Sequence, residues 1–288
     1  MFMKKRNKES QSQQAAGYSL SLKLRKTQQA AEYGLSLSNQ EILERTIFSS
    51  VGKSSVHAIV LFGSRAREDF TNNSDYDINV YLSREHKNTR RILPEGLDEA
   101  YQVTFIDPVR FRSMEEQGHP FVYCSFRDGI PLYQRKEWFD FMRLRILTLR
   151  PSEKITRDYF RYGLRNLSHL IHCHSQNSLV NLPLTLELED GKVAANQIGF
   201  ALMMYHGTYP QSPHTLRKEL RVFGTRYRNV ADTISYLQKA YYSSRESRVS
   251  SYTRHISFLY SFAKDFVRKL FPQEYLEIQA HEKILRKL

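Results

Sequence analysis

Two aspartates one residue apart, Asp75 and Asp77, are the side chains in this sequence best suited to chemistry. They stand at the start of an apolar segment, "YDINVYL", that has the composition of a β-strand. Alternate side chains of a strand point to the same face, so the two carboxylates would repel each other unless a cation lay between them. Carboxylate oxygens suit Mg²⁺, which completes its coordination with water and substrate phosphates. The pair therefore predicts a magnesium site for a phosphate-bearing substrate.

A glycine and a serine, Gly63 and Ser64, follow the apolar segment just upstream, "AIVLF". Glycine lets the backbone turn and approach a ligand closely. Ser64 offers a hydroxyl and a backbone N–H to phosphate oxygens at the expected start of a helix. The sequence therefore predicts a phosphate site that faces the magnesium site.

Strand and helix patterns alternate in the first half of the chain. Ser38 and Glu41 have the spacing of a capping box, which predicts a first helix starting at Ser38. Residues 108–127 are expected to be mostly helical, with Gly129 ending that helix. Segments rich in β-branched and aromatic residues predict strands at 57–62, at 76–82, from Tyr101 in "YQVTFID", and in "IPLY".

Helical periodicity dominates the second half, where strand patterns almost disappear. We therefore expect an α/β protein: a small mixed-sheet domain over 38–140 and an all-α helical bundle over 150–288. Residues 1–37 form a basic extension, disordered over 4–16 and with a possible helix over 18–35, and the loop at 84–97 is polar. The predicted bundle helices are 154–175, 193–206, 214–223, 229–243 and 249–270.

The positive charge is unevenly distributed. The net charge is +13, and residues 141–288 carry 23 Lys or Arg against 12 Asp or Glu. A basic second half favours anionic partners such as RNA, nucleotides or phospholipid head groups, and it disfavours a polycationic ligand. A merely solvated basic surface is the alternative.

Cysteine content and hydropathy indicate a protein of a reducing compartment, with a cytoplasmic location expected. The chain has only two cysteines, Cys124 and Cys173, which excludes a disulfide framework. No apolar run approaches the roughly 20 residues that cross a bilayer, so no membrane association is expected. The N-terminus has no apolar segment behind its charges, so we expect no signal peptide.

Two motifs together resemble the signature of the DNA polymerase beta nucleotidyltransferase superfamily. They are G-S-R-A at 63–66 and S-D-Y-D at 74–77, and the similarity is greatest to minimal and antibiotic nucleotidyltransferases. The helical half more weakly resembles the HEPN-like bundles that often follow such domains. The resemblance implies that Ser64 binds nucleotide phosphates together with Gly63 and Ser74, and that Arg65 lies close to them. It also implies that Asp75 and Asp77 ligate Mg²⁺, with a nucleoside triphosphate, expected to be ATP, as substrate.

The superfamily also has a third carboxylate on the next core strand, and alignment of "YQVTFID" places Gln102 there. Glutamine has nearly the shape of glutamate, but it cannot accept a proton and it binds Mg²⁺ poorly. Three explanations stay open: a degenerate enzyme, another acid such as Asp98 or Asp107 serving as base, or an engineered replacement of a native glutamate. The departure puts catalytic activity in question.

Three functions compete on this basis. The favoured one is transfer of a nucleoside monophosphate to a hydroxyl of tRNA or another RNA, in a cleft between the two domains. The second is modification of an aminoglycoside or lincosamide antibiotic, for which Glu187, Glu189 and Asp190 supply local acids. The third is a pseudoenzyme that binds nucleotide or RNA, as an antitoxin does.

Two weaker patterns lie in the helical half. The first, "RNLSHLIHCH", places Arg165, His169, His172, Cys173 and His174 on one helix, with a ribonuclease pair, a metal site and an ordinary helix face as alternatives. The second, residues 216–228, alternates arginines with aromatic residues. Arginines bind phosphates and aromatic rings stack on bases, so this stretch is either an RNA contact or a solvated helix face.

Overall fold

The computed structural model describes residues 35–70, 74–85, 101–175, 184–243 and 249–285. Its strands are β1 Val56–Phe62, β2 Tyr76–Leu82, β3 Tyr101–Ile106 and β4 Ile130–Gln134. Helices of the sheet-containing part are α1 Leu37–Val51, α2 Gly63–Ala66, α3 Pro108–Glu116, α4 Pro120–Asp128 and α5 Trp138–Ile146. The remaining α-helices are α6 Glu153–Ser175, α7 Leu184–Tyr205, α8 Leu216–Val222, α9 Arg228–Ser243, α10 Val249–Leu270 and α11 Pro272–Leu285.

The four strands form one mixed sheet in the order β3-β2-β1-β4. β1 pairs antiparallel with β2 and β4, while β2 and β3 run parallel. The predicted α/β class, a small mixed sheet followed by a helical region, is confirmed. The predicted strands are also confirmed, within a residue or two of their ends.

Both faces of the central strands are covered, which explains why β1 is apolar almost throughout. Leu43 and Ile47 of α1 pack on one face, in a core with alternate residues of β1 and β2. On the other face the buried Tyr81 ring contacts Phe126 at 5.2 Å and Trp138 at 5.4 Å between ring centroids. The central strands are thereby packed on both faces.

The predicted start of α1 was wrong by one residue, and its capping residue is different. Ser36, not Ser38, is the N-cap: its hydroxyl accepts a hydrogen bond of 3.2 Å from the Asn39 N–H. Leu35, which precedes it, is fully buried. Burial of Leu35 fixes where the chain enters the helix, and this places Ser36 rather than Ser38 at the cap.

The expected single helix over 108–127 is two helices, α3 and α4. Gly118, between them, has φ +59, which a helix cannot continue through. Two helices were not predicted at all, α5 and α11, and α7 begins at Leu184, well before the expected residue 193. Gly191 lies inside α7, because the Tyr252 hydroxyl packs where a Cβ would stand and donates to the Glu187 carbonyl at 2.7 Å.

The chain divides into two compact units. One runs to Glu115 and resumes over Phe121–Thr148; the other comprises Glu116–Pro120 and the chain from Leu149 onward. Within the second unit, α6, α7, α9 and α10 share one apolar core. The expectations for residues 4–16 and 18–35, and most of the polar loop at 84–97, lie outside the described residues. Within the described ranges, no helix combines the length and apolar composition needed to cross a bilayer.

Candidate active site

Strand register brings the predicted site residues to one edge of the sheet. Phe62, the last residue of β1, is opposite Asp77 on β2, and Asp77 is in turn opposite Gln102 on β3. Gly63 follows Phe62 directly, so it lies beside Asp77. The prediction that Gln102 shares an edge with the aspartates agrees with this register.

Gly63 is in direct contact with the Asp77 carboxylate. Its φ is +77, and a Cβ at this position would overlap the Asp77 carboxylate oxygen. The absence of a side chain therefore lets the carboxylate pack over the turn that leads into α2.

Replacing Gly63 with alanine is expected to lower stability by about 1–3 kcal/mol and to weaken metal-dependent nucleotide binding at least tenfold. The backbone must be strained and Asp77 must move. Gly207→Ala is the matched control, since Gly207 has φ +75 but no atom within 4 Å of the added Cβ. Urea unfolding and nucleotide titration of both variants check this, and equal nucleotide affinity in the two would contradict the contact.

The pKa of the Asp77 carboxyl group is strongly shifted from its ordinary value. Burial, and next the neighbouring Asp75 charge, raise its pKa to about 6, while Arg67 opposes the rise. The two carboxylates therefore repel each other in a partly desolvated position. A cation between them would remove that repulsion.

Asp75 and Gln102 are hydrogen-bonded to each other. The Gln102 amide donates to Asp75 Oδ2 at 2.6 Å, and both side chains are exposed. Asp75 lies immediately before β2, not within it. An amide therefore occupies the position beside Asp75 at which a third carboxylate was expected.

Arg65 is buried and holds the loop before Asp75. Its Nε and Nη2 donate to the Ser74 carbonyl at 3.0 and 2.8 Å. The guanidinium lies 3.9 Å from the Tyr76 ring centroid and 4.9 Å from that of Phe70. These contacts fix the backbone of Ser74, and through it the position of Asp75.

Arg65→Lys keeps the charge but loses the planar guanidinium that donates two hydrogen bonds to the Ser74 carbonyl. We expect kcat for nucleotidyl transfer to fall about tenfold with KM for nucleotide nearly unchanged, and stability to fall by about 1–2 kcal/mol. Arg112→Lys, at an exposed position of α3, should change neither. A rise in KM alone, with full stability, would instead place Arg65 on the nucleotide phosphates, as the resemblance implied.

Arg67 is a site residue that the sequence reasoning missed. It stands close enough to Asp77 to lower the pKa of that carboxyl, and its Nε lies 3.2 Å from Asp69 Oδ2. Its backbone N–H donates to the Gly63 carbonyl at 3.3 Å, so one helical turn returns it to Gly63. Arg67 could have been predicted from the sequence, because residues four apart on a helix lie on the same face and Arg67 is four residues after Gly63.

Comparison with known proteins finds a family match over the sheet-containing part of the chain. Residues 45–138 match the family "Polymerase beta, Nucleotidyltransferase". This segment is a polymerase beta nucleotidyltransferase domain. No curated protein matches the chain. Among solved structures, a nucleotidyltransferase-like protein from Exiguobacterium sibiricum 255-15 is 12% identical, with 80% of this chain and 91% of that chain covered and a TM-score of 0.33.

Of the two alternative bases, Asp107 lies away from Gln102 and the aspartates. β3 pairs with β2 without a bulge, so Asp107 lies just past the far end of β3 from Gln102. Asp107 Oδ1 accepts from the Arg110 N–H at 2.8 Å and caps α3. Asp98 lies outside the described residues.

The two weaker patterns have specific contacts. Cys173 Sγ lies 3.7 Å from His169 Nε2, but the described residues contain no group of three or more His, Cys, Asp or Glu arranged to hold a metal ion. In the basic stretch, Arg217 and Arg221 both bind the Asp232 carboxylate, at 2.7 and 2.6 Å. Two arginines of that stretch therefore form ion pairs within the helical unit.

Proposed function

We propose that the nucleotidyltransferase domain transfers a nucleoside monophosphate from a nucleoside triphosphate, with ATP the expected donor, to a hydroxyl group of an acceptor. The observation that carries this proposal is the meeting of Gly63, Asp75, Asp77 and Gln102 at one sheet edge. That edge lies within the part of the chain that matches the family.

The donor set fits a divalent cation. Burial, and next the charge of Asp75, raise the pKa of Asp77 to about 6, so the ionised pair is unfavourable without a cation. Both would hold Mg²⁺, since this cation prefers carboxylate oxygens and phosphate oxygens. When bound, the cation would supply electrostatic stabilisation of the charge that develops on the phosphoryl oxygens.

The chain's own groups would bind and orient the triphosphate. The Ser64 hydroxyl and the backbone at Gly63 would contact the phosphates, and Arg67 would add positive charge beside Asp77. The acceptor oxygen forms a bond to the α-phosphorus, the bond from that phosphorus to the bridging oxygen breaks, and pyrophosphate leaves. The proton of the hydroxyl passes to solvent, because the Gln102 amide cannot accept it.

RNA is the acceptor that we favour, tRNA included. Residues 141–288 carry 23 Lys or Arg against 12 Asp or Glu. Lys218, Arg226 and Arg228 are exposed, and unlike Arg217 and Arg221 they are not bound to Asp232. Such side chains would contact the phosphates of a nucleic acid. We also propose that residues 150–288 form a bundle related to HEPN-like domains.

Two alternatives have an observation in their favour. After burial, the charges of Glu187 and Asp190 help to raise the pKa of Cys173, so these two acids lie near one another in the bundle and would suit a cationic antibiotic. Gln102 in place of a carboxylate would suit a pseudoenzyme that binds nucleotide or RNA without transfer.

Incubation with each α-labelled nucleoside triphosphate and Mg²⁺ tests the proposal directly, with total RNA or an antibiotic panel as acceptor. Label on RNA is the expected result, and label on an aminoglycoside or lincosamide would select the antibiotic reaction. Metal-dependent nucleotide binding with no label on any acceptor would select the pseudoenzyme. A parallel reaction with Asp77→Ala protein controls for contaminating transferases.

A further inference from the structure

A group of aromatic rings reaches the surface of the helical unit where α7 ends. Tyr205, the last residue of α7, is 42% exposed, and its ring packs edge-to-face against Phe266 of α10 with the ring centroids 5.0 Å apart. The next residue, His206, stacks on Phe223 at a centroid distance of 4.0 Å, with the ring planes 8° apart. Phe223 directly follows α8, and both stacked rings are partly exposed. Three neighbouring rings are therefore accessible to a ligand.

Contacts from the core hold these rings in place. The buried Tyr227 hydroxyl lies 3.0 Å from His206 Nε2, and the Tyr227 ring meets the imidazole edge-to-face at 5.2 Å. Burial lowers the pKa of His206 below its ordinary value, so the imidazole is an uncharged ring at neutral pH. Phe266, which supports Tyr205, belongs to the apolar core of the unit. A ligand that stacks on these rings therefore finds them ordered in advance.

Flat, partly exposed rings suit nucleobases. Every base has a π-face, so stacking on Tyr, His or Phe side chains is tolerant of sequence. In a duplex the base faces are already covered by neighbouring base pairs, whereas unpaired bases can be splayed onto a protein ring. The ring group therefore favours a single strand over a duplex.

A positive charge lies beside the rings. The Arg226 guanidinium is 5.8 Å from the Phe266 ring centroid, so Arg226 and Tyr205 approach the same ring. Arg226 is exposed, and unlike Arg217 and Arg221 it forms no ion pair within the described part of the chain. Residues 216–228 carry five Lys or Arg against one acidic residue. This charge complements a phosphate backbone.

We propose that Tyr205, His206, Phe223 and Arg226 form a binding surface for single-stranded RNA. Bases stack on the three rings while a neighbouring phosphate contacts Arg226. The inference rests on the proposed function, in which RNA is the acceptor, and it narrows that acceptor to an RNA with unpaired nucleotides at this surface. The surface lies wholly within the helical unit, so binding requires neither metal nor nucleoside triphosphate.

Fluorescence anisotropy with a labelled single-stranded RNA of about 12 nucleotides tests the inference. The full chain is used in EDTA, so that no metal-dependent transfer takes place. We expect the single strand to bind about tenfold more tightly than the duplex that it forms with its complement. Charge alone would favour the duplex, because a duplex carries more phosphates per unit length. A preference for the single strand therefore reports stacking.

Tyr205→Leu keeps an apolar side chain against Phe266 but removes the ring. It should weaken single-strand binding about tenfold or more and leave duplex binding within about twofold, whereas Tyr205→Phe should bind as the parent does. Tyr162→Leu is the matched control and should bind as the parent does. Tyr162 is 49% exposed, but the neighbouring Arg161 is already paired with Glu277.

Arg226→Gln should lower the slope of log affinity against log salt by about 0.7, since one phosphate contact is lost. Arg217→Gln, at a position already paired with Asp232, should leave the slope unchanged.

Equal binding of single strand and duplex, or full single-strand affinity in Tyr205→Leu, would overturn the inference even if RNA takes up label in the transfer reaction. Conversely, single-strand binding that depends on Tyr205 would support it even if no acceptor takes up label. The inference and the proposed transfer can therefore fail separately.

Discussion

Asp77→Asn should abolish metal-dependent nucleotide binding, with an affinity loss of about 100-fold or more, and should make the metal-free protein more stable. The binding loss follows from removing one of two carboxylates at the site, since an amide is a poor ligand for Mg²⁺. The stability gain follows because burial and Asp75 raise the pKa of Asp77 to about 6 from an ordinary 3.8. An ionised carboxylate so placed costs the folded state about 1–3 kcal/mol at neutral pH.

The stability difference should depend on pH with a definite sign. Between about pH 4 and pH 6 the folded chain holds a proton on Asp77 that the unfolded chain has lost. Stability of the parent therefore falls as pH rises through this window, and the advantage of Asp77→Asn appears above it. Urea unfolding in EDTA at pH 4.0 and pH 7.5 measures this.

Asp140→Asn is the control, because Asp140 is exposed and hydrogen-bonds Gln134, which pairs with Ala58 near the opposite end of β1 from Gly63. It should change neither nucleotide affinity nor the pH dependence. Full metal-dependent binding by the Asp77→Asn protein would contradict the metal assignment. Equal stability of Asp77→Asn and parent at pH 7.5 would contradict the raised pKa of Asp77.

Gln102→Glu should raise the rate of transfer by about tenfold or more, since a positioned general base contributes roughly 10² to 10⁴ and a substituted one seldom recovers all of it. The structure also predicts an effect of this change on stability. The Gln102 amide now donates to Asp75 at 2.6 Å, so a carboxylate would replace an attraction with a repulsion. We expect the variant to be less stable without Mg²⁺ and to recover stability when Mg²⁺ is added.

Transfer by Gln102→Glu should also rise with pH and level off above the pKa of the new carboxylate, as a base requires. Gln273→Glu adds the same charge at an exposed position in the first turn of α11 and should leave the rate unchanged. A Gln102→Glu rate at or below that of the parent, with nucleotide binding intact, would show that the reaction takes no base from β3.

The proximity of Asp75, Asp77 and Gln102 could be predicted, although their roles stay a prediction. The two-residue repeat of a strand placed Asp75 and Asp77 near one another, and alignment of the third apolar segment placed Gln102 beside them. Strand boundaries were predictable because β1 and β2 are largely buried and therefore mostly apolar. In the helical half, strong periodicity gave α10 its correct bounds.

The roles of Arg65 and Arg67 could not be predicted from the sequence. They depend on which side of the four-residue helix α2 each side chain occupies. Arg65 and Arg67 both follow Gly63 closely, yet one is buried against Ser74 and Tyr76 while the other lies near Asp77. The starts of α1 and α7 were predicted wrongly for a related reason, because tertiary contacts determine where these helices begin. Burial of Leu35 selected the cap of α1, and the Tyr252 contact allowed a glycine within α7.

Binding of a non-reacting ATP analogue with an α,β-methylene bridge, measured by calorimetry in Mg²⁺ and in EDTA, tests the central claim most directly. We predict saturable binding in Mg²⁺, at least tenfold weaker binding in EDTA, and loss of the Mg²⁺-dependent part in both Asp75→Ala and Asp77→Ala proteins with their folds intact. Equal affinity in Mg²⁺ and EDTA, or full Mg²⁺-dependent affinity in either alanine variant, would contradict the claim that this pair of carboxylates forms a metal and nucleotide site.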